Sequence, residues 1–120
     1  MRELLNQEED LTVCGVAEDF TSARKSLSQD RPDLAIIDIS LAEENGLDLV
    51  KEITLNYSGL PVLVLSLHDE LVWAERAIRA GARGYVMKKE ASESVISAIR
   101  NILSGKIHVS PDMMAHLLDK

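Results

Sequence analysis

The sequence predicts an α/β domain built on a parallel sheet, on three observations. Two short runs, Leu34-Ala-Ile-Ile-Asp38 and Pro61-Val-Leu-Val-Leu-Ser66, are continuously apolar and then stop at a polar residue, as strands buried on both faces do. Stretches with helical spacing lie between such runs, so strand and helix alternate along the chain. The 120 residues, 46% of them apolar, match the size and core content of one compact domain.

A weaker strand, Leu11 to Ala17, precedes the two central ones, and Gly84-Tyr-Val-Met-Lys88 follows them, giving four strands. Phe20, Ala23 and Leu27 repeat at i, i+3 and i+7, and this helix stops at Arg31 because Pro32 disfavours helical backbone before it. Leu47, Val50, Ile53 and Leu55 mark a second helix, preceded by Gly46. Asp69 is placed to cap a third, with Leu71, Ala74, Ala77 and Ile78 inward and Gly81 past its end. Val95, Ile96, Ile99 and Leu103 give a fourth, ending at Gly105. Ser110-Pro111-Asp112 reads as an N-cap with proline at the first helical position, opening a short amphipathic helix through Met114, Leu117 and Leu118. The organisation expected is a domain over residues 1–106 and a linker helix over 107–120.

Charge and composition exclude several classes. Thirteen Lys and Arg against twenty Asp and Glu leave a formal charge of −7, with no basic stripe for nucleic acid or an anionic membrane. Neither a signal-peptide core nor a membrane-length apolar run occurs, so a cytoplasmic protein is expected. Cys14 is the single cysteine, set in an apolar run, and reads as a small buried hydrophobe. No nucleophile-elbow, dinucleotide or P-loop signature is present, and His68, His108 and His116 lack the spacing of zinc ligands. Gly81-Ala-Arg-Gly84 spells the G-x-x-G of an RNA-clamping loop, yet it joins a helix to a strand, where a C-cap and a tight turn account for both glycines.

In open parallel sheets, chemistry gathers at the carboxyl edge of the strands. Asp38, Ser66 and Lys88 each close an apolar strand there, 28 and 22 residues apart, so the three can converge. A carboxylate in such a crevice can attack phosphorus and form an acyl phosphate. A hydroxyl and an ammonium beside it would bind the transferred phosphoryl group and offset its charge.

With these residues in place, the sequence resembles the receiver domain of bacterial two-component response regulators, particularly those of the LuxR/NarL type. The resemblance rests on Ala35-Ile-Ile-Asp38-Ile-Ser-Leu41, Gly46-Leu-Asp-Leu49, Pro61-Val-Leu-Val-Leu-Ser66-Leu-His-Asp69, Ala80-Gly-Ala-Arg-Gly-Tyr85 and Lys88, in the family's order and spacing. It implies a flavodoxin-like, CheY-like sheet, Asp38 as phosphoacceptor from a sensor histidine kinase, Ser66 and Lys88 as holders of the phosphoryl group, and Tyr85 as a ring that swings inward on activation. It further implies a non-enzymatic signalling module of a transcription regulator, with Mg²⁺ as cofactor held by Asp38 and the backbone carbonyl of Ser40. The competing reading is a non-phosphorylated pseudo-receiver that serves as an interaction or dimerisation module.

Two departures from the family pattern bear on the metal. The first strand and its acidic pair are lacking, and the chain opens at the helix that Arg2-Glu-Leu-Leu5 resembles. Three arrangements would fill the gap: the Leu11 to Ala17 strand moving beside Leu34 to Asp38, a strand from a second chain, or a natural start further upstream. The family's Pro-Gly loop after the phosphoacceptor is replaced by Ala42-Glu43-Glu44-Asn45, where Glu43 and Glu44 are either substitute metal ligands or a solvated acidic loop. Glu18 and Asp19 carry the same two readings. Trp73 and Arg76 on the third helix are candidate partner surface, and the first and last helices are alternative faces for a homodimer.

Overall fold

The computed structural model describes residues 7–13, 20–39, 43–67, 70–89 and 92–119. These fall into two compact units, one ending at Asp33 and one beginning at Leu34. In the first, a turn brings the Leu11 N–H to the Glu8 carbonyl at 3.3 Å, and helix α1 spans Phe20–Asp30. Arg31, just past α1, has φ 45, a left-handed residue ending the helix before Pro32. The expected strand from Leu11 does not form over Leu11 to Val13, and Cys14 to Ala17 lie outside the described residues. So do Arg2 to Leu5, and with them the proposed opening helix.

The second unit is a three-stranded parallel sheet in the order β1 (Ala35–Asp38), β2 (Val62–Ser66), β3 (Gly84–Met87). Helix α2 (Glu43–Asn56) follows β1, α3 (Glu70–Ala80) follows β2, α4 (Ser92–Leu103) follows β3, and α5 (Pro111–Leu118) comes last. The α/β class and the parallel sheet are as expected, with three strands among the described residues where four were expected. β2 is buried at all five positions because it has a strand on each side and helices over it. Helix α2 packs on β1 and β2, α3 on β3 and on α2, and α4 on β2 and β3. The core is formed by Val62, Leu63, Val64 and Val86 of the sheet with Val50 and Ile53 of α2, Ala74 and Ala77 of α3, and Ala98 and Ile99 of α4.

Several apolar residues that mark the helices do not face the core. Leu55 is 81% exposed: it stands two residues, about 200°, around the helix from Ile53, which is buried. In α4 the buried residue of the last turn is Ile102, and Leu103 faces solvent. In α5 the buried residue is Met113, whereas Met114 and Leu118 are exposed. Gly46 does not precede α2 but lies within its first turns, and a Cβ there would come within 2.7 Å of Ile39 Cγ2. The glycine thus lets helix and strand end approach closely. Gly81, with φ +116, ends α3 as expected.

Candidate functional site at the carboxyl edge of the sheet

Parallel pairing sets the site. Asp38 lies opposite Leu65 and Ser66 opposite Met87, so the ends of the three strands are level. The Ile39 N–H donates to the Leu65 carbonyl at 3.0 Å, and the Lys88 N–H to the Ser66 carbonyl at 2.8 Å, extending the ladder one residue beyond each edge strand. Lys88 is therefore held by its backbone beside Ser66. Its Nζ then reaches across the end of β2 to within 2.6 Å of Asp38 Oδ2. Both partners keep some contact with solvent, 33% for the lysine side chain and 22% for the aspartate. Ser66 is fully buried at the end of the central strand.

The structure thus brings together the three predicted residues. Tyr85 is also in place: its ring is buried, and its N–H donates to the His108 carbonyl at 3.0 Å along the edge of β3 away from β2. Ser40, Glu18 and Asp19 lie outside the described residues, as do His68 and the expected cap Asp69. The expected loop Glu43-Glu44-Asn45 is instead the first turn of α2. Trp73 is half-buried on α3, with the Arg76 guanidinium 5.2 Å from its ring centroid.

Magnesium demands near-octahedral oxygen ligation, usually from one or two carboxylates with waters and phosphate oxygens. Among the described residues, no three His, Cys, Asp or Glu side chains gather into a possible metal site. Of the proposed ligands, Asp38 is the one whose side chain is described at this edge, and its carboxylate is engaged by Lys88.

Sequence reasoning passed over two residues that the fold employs. His108 pairs with β3, its N–H donating to the Arg83 carbonyl at 2.9 Å. His116 on α5 places Nε2 3.1 Å from Glu75 Oε2 on α3. The signal was slight: an N-cap serine between two histidines, with no spacing that tied either to its distant partner.

A parallel sheet carrying an acid, a hydroxyl and an ammonium at its carboxyl edge defines a class of α/β modules whose chemistry is centred on one carboxylate. Comparison with known proteins makes this particular. The family model described as the response regulator receiver domain matches residues 1–100, and the chain belongs to that family. It is 30% identical over 118 residues to the oxygen regulatory protein NreC of Staphylococcus carnosus, covering 98% of this chain and 54% of that protein. It is 32% identical over 114 residues to the transcriptional regulatory protein DesR of Bacillus subtilis, covering 95% and 56%. The chain thus spans about half the length of the curated relatives it matches. Its fold superposes, with a TM-score of 0.87 and 26% identity, on a LuxR-family two-component response regulator from Aurantimonas, covering 98% of this chain and 84% of that one. The receiver is of the LuxR/NarL type. No helix among the described residues is long and apolar enough to cross a membrane.

Proposed function

We propose that this receiver accepts a phosphoryl group on Asp38 from a sensor histidine kinase or a small acyl phosphate and uses it to change a protein contact. The observation that carries this reading is the 2.6 Å pair between Lys88 Nζ and Asp38 Oδ2, beside buried Ser66 on the central strand. A carboxylate oxygen of Asp38 attacks phosphorus. The P–N bond of a phosphohistidine, or the P–O bond of an acyl phosphate, breaks, and its electron pair leaves with the imidazole or carboxylate. Lys88 exchanges its carboxylate partner for a phosphoryl oxygen, and the Ser66 hydroxyl donates to another. Tyr85 and α3 then shift, which is a change in population between two conformers.

In this reading residues 1–106 are the receiver and 107–120 the linker helix of a cytoplasmic transcription regulator whose DNA contacts are made by another part. Trp73 and Arg76 would face its partner, and a second copy is the other candidate. Mg²⁺ would assist, with Asp38 and the backbone carbonyl of Ser40 among its ligands. The competing reading is the pseudo-receiver, an interaction or dimerisation module that is not phosphorylated. Intact mass after incubation with acetyl phosphate, with and without Mg²⁺ and beside Asp38→Asn, decides between them. A single phosphoryl adduct that disappears in the variant supports phosphotransfer to Asp38. No adduct on a folded chain supports the pseudo-receiver.

A further inference from the structure

We propose that the stretch from His108 into helix α5 is a latch: docking of α5 on α3 and pairing of His108 with β3 form and break as one cooperative event. This goes beyond the proposed function and holds whether or not Asp38 takes a phosphoryl group.

The latch has two anchors. At the first, His108 is stitched to the outer edge of β3 by two backbone hydrogen bonds, from Tyr85 N–H to its carbonyl at 3.0 Å and from its own N–H to Arg83 at 2.9 Å. Its ring Nδ1 lies 3.1 Å from Asn101 Nδ2 on α4. The approach is close: a Cβ on Gly84 would stand 3.1 Å from the His108 carbonyl oxygen, so any larger residue there would press on the His108 pairing. At the second anchor, α5 packs on α3, with Met113 fully buried and His116 Nε2 3.1 Å from Glu75 Oε2. Glu75 is itself aligned by Arg79, whose Nη2 lies 3.0 Å from Oε1.

Only Val109 and Ser110 separate the first anchor from the helix, and two residues reach at most about 7 Å. The connector is also stiff. Ser110 is extended (φ −65, ψ 159), its side chain accepts from the Met113 N–H at 3.1 Å, and Pro111 restricts φ at the first helical position. With so little slack, α5 cannot lift off α3 without straining the His108 pairing, and β3 cannot shift at Tyr85 without pulling on α5. Because β3 leads directly to Lys88, a rearrangement at Asp38 would reach α5 through this connector. A segment joined to the end of α5 would move with it.

Amide hydrogen exchange of the 120-residue chain by NMR tests the latch. The reporters are the Tyr85 and His108 amides at the first anchor, Met114 in α5 and Asp119 at its C-cap, and Val64 in β2 as the measure of global unfolding. His116→Ala and Asn101→Ala each remove a contact at one anchor. Each is expected to speed exchange at both anchors by the same factor, about fivefold for one lost hydrogen bond, with Val64 unchanged. Arg79→Gln, which spares the Glu75–His116 contact, is expected to change these rates by less than about twofold. Faster exchange at Met114 and Asp119 in His116→Ala with Tyr85 and His108 unchanged would overturn the proposal, as would unprotected α5 amides in the unaltered chain. Should His116→Ala deprotect Val64 as well, His116→Gln, which keeps a donor at that place, decides by the same comparison.

Discussion

Lys88 and Asp38 meet at 2.6 Å across the end of β2, although 50 residues separate them in the chain. The contact is made because parallel register levels the strand ends and the Lys88 N–H is fixed to the Ser66 carbonyl. Both side chains remain partly solvated, so the attraction is screened. A double-mutant cycle of Asp38→Asn and Lys88→Ala, read by urea denaturation, is expected to give a coupling energy of no more than about 1 kcal/mol. Such a value assigns the pair to chemistry rather than to stability, and a coupling several times larger would assign it to the fold.

Ser66 is expected to separate the same two roles. Ser66→Ala removes a hydroxyl in a fully buried position and should lower stability by at most about 1.5 kcal/mol in denaturant. On the proposed function, the rate of phosphoryl-adduct formation from acetyl phosphate should fall roughly tenfold, the loss of about 1.4 kcal/mol of transition-state stabilisation. An unchanged rate would remove Ser66 from the phosphoryl site.

Gly46→Ala is expected to destabilise the fold although alanine is the better helix former. The gain in propensity is about 1 kcal/mol. The new Cβ would meet Ile39 Cγ2 at 2.7 Å and its Cα at 3.0 Å, and Ile39 is fully buried and β-branched, so it cannot yield cheaply. Overpacking of this kind costs about 1–3 kcal/mol, leaving a net loss in thermal or chemical denaturation.

Ile53 and Leu55, two residues apart on α2, are expected to respond oppositely. Ile53→Ala should cost about 2–5 kcal/mol, because the side chain is fully buried in the core. Leu55→Gln should change stability by less than about 0.5 kcal/mol, since the leucine is 81% exposed. Comparable losses in the two variants would contradict the orientation of α2.

Much of the architecture was legible because burial on both faces leaves a local mark. The apolar runs ending at Asp38 and Ser66 became β1 and β2 to within one residue, and the polar residues closing them lie at the site. Ser110 and Pro111 were readable as a helix start for the same local reason, and the cap forms as expected. Helix faces were read less well. Leu55, Leu103, Met114 and Leu118 mark their helices by apolar spacing yet are exposed, because the direction of each face is set by what the helix packs upon.

What the sequence by itself determined, then, is the alternation of strand and helix, the parallel sheet, and the set of Asp38, Ser66 and Lys88 at strand ends. These follow from periodicity and from the backbone preferences of proline, glycine and serine, which act over a few residues. The tertiary structure alone decided that Lys88 reaches Asp38, that Gly46 makes room for Ile39, that His108 completes the edge of β3, and that Met113 and His116 seat α5 on α3. Each of these joins residues on different elements, up to 50 positions apart for Asp38 and Lys88. Such pairings are chosen by register and packing once the sheet has formed, and no local pattern encodes them.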